Sequence, residues 1–93
     1  MRIQWTEHAL SDLTRLYDFL AIRNREAAVR TVRALAHAPG RLFENVRIGH
    51  RLNEFEPREV RRVLVGEYEV RYEIRGSDIY MLRLWSPSIL ATV

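Results

Sequence analysis

Two hydrophobic periods divide the chain. Between Glu7 and about Ile22, the apolar residues Leu10, Leu13, Leu16, Tyr17 and Leu20 recur every three or four positions, the stripe of an amphipathic helix. Thr6 stands where an N-cap belongs, and Glu7 places a negative charge at the positive end of the helix dipole. The outer face of this helix is predicted to carry Asp12, Arg15 and Asp18. A second stripe of Ala28, Val29, Val32, Leu35 and Ala36 follows Asn24, another capping residue, and leaves Arg25, Arg30 and Arg33 in water. So short a connection predicts an antiparallel helical hairpin. Pro39-Gly40 interrupts the second stripe, because proline lacks an amide donor and clashes with the preceding turn. The expectation is a break there, a last helical turn over Arg41 to Asn45, and a loop from Val46 to Pro57 containing Gly49, His50 and Arg51.

After Pro57 the period falls to two. The run Glu67 to Arg75 alternates without a fault, placing Tyr68, Val70, Tyr72 and Ile74 on one face and only charges on the other, as in a half-buried antiparallel strand. Arg58 to Val65 precedes it across a turn at Gly66, and Ile79 to Trp85 follows across Gly76-Ser77-Asp78. A two-residue loop in the second turn would set Arg83 among Val70 and Tyr72. A three-residue loop pairs Tyr72 with Leu82 and Val70 with Leu84, sending Arg83 and Trp85 to the charged face. The second register is expected, since an unpaired arginine in so small a core is costly. With Met1 to Trp5 as an opening strand, the architecture is α+β: a strand, a helical hairpin and a three-stranded antiparallel meander, helices on one face of the sheet. Leu13, Leu16, Tyr17, Val32, Leu35, Tyr72 and Leu82 are the expected structural residues.

Ninety-three residues fit one small domain spanning 1 to 93. No cysteine is present, which removes disulfides, thiolate metal sites and cysteine nucleophiles. No apolar run approaches the length of a membrane helix, and no signal core follows Met1, so a soluble, unprocessed, cytoplasmic protein without a membrane partner is expected. His8, His37 and His50 show no metal-ligand spacing, and neither a metal nor a cofactor is anticipated. His8 and His37 read as helix surface.

The net charge of +3 is mild, but all 15 basic residues are arginine. Lysine general bases and Schiff bases are thereby excluded. Codon bias in a GC-rich genome is the plain explanation; bidentate binding of phosphate or carboxylate is the functional one. The second sheet face gathers Arg71, Arg83, Trp85 and one of Arg61 or Arg62, which alternate. Such a face suits nucleic-acid phosphates and an acidic protein segment equally well. It is also explained simply by Glu69 and Glu73 pairing with Arg71 and Arg83 in water.

The opening strand with its Trp, the helical hairpin, the stretch from Pro57 to Ile74 and the closing Ile79-Tyr80-Met81-Leu82-Arg83-Leu84-Trp85 together resemble the ParE/RelE toxin superfamily, most closely the ParE-like, plasmid-stabilisation branch. The resemblance covers nearly the whole chain. It implies a type II toxin with the fold derived above, held in a hetero-oligomer with a cognate antitoxin, a ParD-like or similar small protein. ParE-like members are known for poisoning DNA gyrase, whereas RelE-like members cut mRNA on the ribosome. Arg61, Arg62, Arg71, Arg83 and Trp85 are the expected target- or antitoxin-binding residues.

RNA cleavage needs a base, arginines and an acid acting together. The RelE-like set combines lysine, arginine and a tyrosine near the C-terminus; here lysine is absent and no Tyr follows Tyr80. Only Arg62, Arg83 and His50 remain as candidates for endoribonuclease chemistry. Binding rather than bond-making is therefore the favoured action. ParE-like chains commonly follow the strand Trp with His, a polar residue and Arg, whereas this one continues Ser86-Pro87-Ser88-Ile89-Leu90-Ala91-Thr92-Val93. A non-toxic relative that still binds antitoxin is a third reading of that uncharged tail.

Overall fold

The computed structural model describes residues 2 to 86; the tail from Pro87 to Val93 lies outside the described residues. Strand β1 (Arg2–Trp5) leads into helix α1 (Glu7–Ala21), helix α2 (Arg25–His37) and a short helix α3 (Pro39–Leu42). Strand β2 (His50–Arg51), a 3₁₀ turn (Asn53–Phe55) and strands β3 (Glu59–Val65), β4 (Tyr68–Arg75) and β5 (Asp78–Trp85) complete the fold. The sheet has five strands in the order β1-β5-β4-β3-β2, with β1 parallel to β5 and the other pairs antiparallel. The predicted meander thus forms its centre, flanked by the opening strand and by a strand inside the segment expected to be a loop. The last helical turn begins at Pro39, earlier than expected, because proline's fixed φ suits the first position of a helix.

Both helix caps form as predicted: Thr6 Oγ1 accepts the Ala9 amide at 3.2 Å and Asn24 Oδ1 the Ala27 amide at 3.1 Å. Thr6 does more, since its hydroxyl and amide also bond the Met81 carbonyl of β5 at 2.7 and 3.2 Å. That attachment fixes how α1 is rotated. It buries Ala9, Asp12 and Leu16 and leaves Leu10 half exposed. The expectation that Asp12 faces outward is overturned: its residue is 6% exposed, and its carboxylate accepts the Leu84 amide of β5 at 3.0 Å. In α2, Ala28 and Leu35 are buried, whereas Val29 and Ala36 are exposed.

Both hairpins of the meander turn on two residues, Gly66-Glu67 and Gly76-Ser77, with each glycine at a left-handed φ near 60° that L side chains resist. The three-residue loop expected at the second hairpin is therefore absent. Arg83 nevertheless avoids the core, because Leu82 is an extra residue, a β-bulge. Below it Tyr72 pairs with Met81, not Leu82; above it Arg71 pairs with Arg83 and Val70 with Leu84, as expected. Met81 takes the core place predicted for Leu82 and is 1% exposed.

The helices cover one sheet face, where Ala9, Leu16, Leu35, Val70, Tyr72, Ile74, Ile79, Met81 and Leu84 form the core. Tyr72, fully buried, donates its hydroxyl to the Val46 carbonyl at 2.9 Å and accepts the Gly49 amide at 3.0 Å. A Cβ on Gly49 would stand 2.7 Å from both the Tyr72 hydroxyl and the Arg62 carbonyl, so only glycine fits. Tyr72→Phe should lower stability by about 1–3 kcal/mol in chemical denaturation, the cost of leaving buried groups unpartnered. Amide exchange at Gly49 should accelerate in the same variant.

Candidate functional site: an arginine row on the open sheet face

Cross-strand register builds the site. His50 pairs with Arg62, Arg62 with Arg71, and Arg71 with Arg83, so four strands contribute one basic residue each to a single row opposite the core positions of the sheet, the Arg83 side chain reaching Asp12 of α1. Neighbouring strands lie about 4.8 Å apart, giving a row of about 14 Å. The register also resolves the Arg61/Arg62 alternative. Arg62 joins the row, whereas Arg61 pairs with Tyr72 on the helix-covered face. There it donates to Glu59 at 3.0 Å and to the Gly49 carbonyl at 2.7 Å, a clamp on the segment before β2.

Like charges directly opposite one another destabilise a sheet, and the surrounding residues offset this cost in two ways. First, carboxylates are bracketed by arginines. Asp12 takes Arg83 in a bidentate pair at 2.8 and 3.2 Å as well as Arg15. Glu69 lies 3.3 Å from Arg62 and 4.0 Å from Arg71. Glu73 takes Arg58 in a bidentate pair at 3.1 and 2.8 Å, and Arg75 at 2.9 Å. Each carboxylate thus meets two guanidinium groups and leaves one positive charge over. The charged face is not simply solvated, since Glu73 is 3% exposed.

Second, aromatic rings flank the central arginine. The Arg71 guanidinium carbon lies 5.3 Å from the Phe55 ring centroid and 4.9 Å from that of Trp85, within cation–π range of both. Its Nε is buried without a hydrogen-bond partner. Phe55 reaches this place because the 3₁₀ turn lies between β2 and β3, a contribution that reading the segment as a loop does not reveal. Beside Trp85, a groove of about 540 Å³ among the described residues runs between α1 and β5, lined by Asp12, Arg15, Leu16, Phe19, Arg71 and Trp85 among others.

Hydrogen bonding sets the carboxylate ionisation. Burial alone would raise the pKa of Asp12, but Arg83, the Leu84 amide and Arg15 together hold it below the ordinary value. For Glu73 the hydrogen bond from Arg58 dominates, and with Arg75 it overcomes burial. Both are depressed in the folded state, so the stability they contribute is present above the unfolded carboxylate pKa near 4 and is lost as pH falls through the folded values. Asp12→Ala should cost about 2 kcal/mol at pH 7 by orphaning the Leu84 amide and releasing Arg83, and should flatten the acid limb of the stability curve measured by urea denaturation between pH 6 and 2.

Among the described residues, no group of three or more His, Asp or Glu is placed to hold a metal ion, and no helix is long and apolar enough to cross a membrane. His50 is exposed on β2 at the end of the row.

A strand, a helical hairpin and a mostly antiparallel sheet in this order define the α+β fold of ParE-like toxins. A chain of the chromosomal ParDE toxin–antitoxin system from P. aeruginosa superposes with a TM-score of 0.76 over 92% of this chain and 95% of that one, at 22% identity. The profile of the ParE toxin of the type II toxin–antitoxin system, parDE, matches residues 3–89, and the chain belongs to that family. Comparison with curated proteins returned no match.

Proposed function

We propose that this ParE-family chain acts in the cytoplasm as the toxin of a type II module, neutralised in a hetero-oligomer by a cognate antitoxin, and that it inhibits DNA gyrase by binding rather than by cutting a bond. The supporting observation is the dispersal of the residues an endoribonuclease would need. His50 and Arg83 stand at opposite ends of the row, and Arg83 is committed to Asp12. One scissile phosphate cannot meet a base at one end and that arginine at the other. His50 beside Arg62 is the one adjacency that favours ribosome-dependent mRNA cleavage.

The surface segregates in a way that supports two separate engagements. Exposed apolar side chains, Leu10, Phe19, Ile22 and Val29, belong to the helical hairpin. Apolar anchors of this kind suit a protein partner, which supports the hairpin as the antitoxin's seat and the arginine face as the target's.

Purified protein is expected to inhibit gyrase supercoiling and to leave mRNA intact in a translating extract mapped by primer extension. Codon-linked cuts would reverse the assignment. Inactivity in both assays with tight antitoxin binding would mark a non-toxic relative. Ile22→Glu with Val29→Glu should weaken antitoxin binding at least tenfold in calorimetry while leaving the circular dichroism spectrum unchanged.

A further inference from the structure

We infer that the groove between α1 and β5 is the seat of this chain's own residues 87–93, Pro-Ser-Ile-Leu-Ala-Thr-Val, so that the protein carries its own ligand for that groove. The inference goes beyond the proposed function and holds whatever the target is. It starts from the groove walls. Leu16 and Phe19 of α1 stand across from Leu84 and Trp85 of β5 around a volume of about 540 Å³, and Phe19 is 43% exposed. The charged groups along the groove are committed within the protein: Asp12 receives Arg15 and Arg83, and the Arg71 guanidinium lies over the Trp85 and Phe55 rings. What the groove lacks is apolar cover.

The second observation is where the chain leaves β5. Ser86, the next residue, is part of the groove wall and 6% exposed, so the main chain is already at the groove when residue 87 follows. Proline at that position has no N–H and cannot prolong the ladder of β5. A segment attached with no linker meets its site at an effective concentration in the millimolar range or above, so modest apolar contacts are enough to hold it. Seven residues reach about 23 Å when extended, whereas the α1 wall rises only about 10 Å from Asp12 to Phe19.

Composition is the third observation. The lining holds three arginines against one aspartate, which leaves it positive. A basic segment would be repelled there, and an acidic one would compete with Asp12 for Arg83 and Arg15. Residues 87–93 carry no charge and offer Ile89, Leu90 and Val93 as apolar side chains, so covering the groove with them dehydrates no ion. A segment of another molecule would lose translational and rotational freedom on binding that a tethered one does not lose. Seated there, residues 87–93 cover Phe19 and one side of Trp85, and the groove opens to another molecule only when they leave it.

The test uses the full chain, isotope-labelled, in solution NMR, with no target or partner added. Nuclear Overhauser contacts are expected from the Ile89 and Leu90 methyl groups to the Phe19 ring and the Trp85 indole, unchanged on dilution. Ile89→Ser with Leu90→Ser should abolish them and shift the amide signals of Leu16, Phe19 and Leu84, while those of Arg30 and Arg33 on the exposed face of α2 stay in place. In a Trp5→Phe background the same pair should raise the acrylamide quenching constant of Trp85 about twofold, since the contacts that shield the ring are gone. Ile48→Ser with Leu64→Ser, which removes exposed apolar side chains outside the groove, should leave that constant unchanged, and thermal melting confirms that each variant is folded. Tail methyl signals with no contact to either ring, or a quenching constant unmoved by Ile89→Ser with Leu90→Ser, would overturn the inference. Contacts that fade on dilution would overturn it in favour of the tail of a second copy.

Discussion

The Tyr72 hydroxyl sits where the core, the central strand and the connecting segment meet. The ring is fully buried on β4 beneath the helices, and its oxygen has both a donor and an acceptor role to fill in a place water does not reach. It fills them with the backbone of Val46 and Gly49, drawing that segment onto the sheet. Because Gly49 then lies against the Arg62 carbonyl, the next two residues fall into register as β2, and the chain passes over the edge to place Phe55 beside Arg71. A single buried phenol thus positions one end of the arginine row and one of the two rings at its centre.

Bracketing carboxylates with two arginines ties elements distant in the chain to one another. Arg83 and Asp12 join β5 to α1, and Arg47 with Arg61 does the same for Glu59 at the other edge of the sheet. Burial of an unpaired carboxylate would be heavily penalised, whereas two guanidinium groups together satisfy its lone pairs. Lysine would do this poorly, because a compact ammonium lacks the planar fork that reaches two oxygens at once. The exclusive use of arginine therefore has a local structural rationale in this fold, in addition to whatever codon usage contributes.

Most of the architecture was legible in the sequence, because it rests on periods and caps: the two helices, the three-strand meander and both N-caps follow from short-range rules. What escaped detection depends on contacts distant in sequence. Asp12 looks like surface on a helical wheel, and only the unpaired amide of Leu84, 72 residues away, gives it reason to turn inward. A two-residue strand at His50 has no periodicity to reveal it. The placement of Arg83 was anticipated from desolvation, but the chain achieves it by a bulge at Leu82 rather than by a longer turn. Arg71, Arg83 and Trp85 were identifiable as companions from alternation joined to the desolvation argument, and alternation narrowed their neighbour on β3 to Arg61 or Arg62, which only the register with β4 decides; Phe55 was not identifiable, since nothing local distinguishes it from a loop aromatic.

The bulge at Leu82 also bears on how such chains diverge. An extra residue in a strand normally inverts the facing of everything after it, turning core to solvent and solvent to core. Here the two sides of β5 are the same before and after Leu82, because the bulge absorbs the added residue. The strand is therefore a place where chain length can drift by one between related proteins while every paired contact of β4 and β5 is retained. An alignment gap at this point would mark a change in curvature, not in fold, and positions beyond it remain comparable one for one.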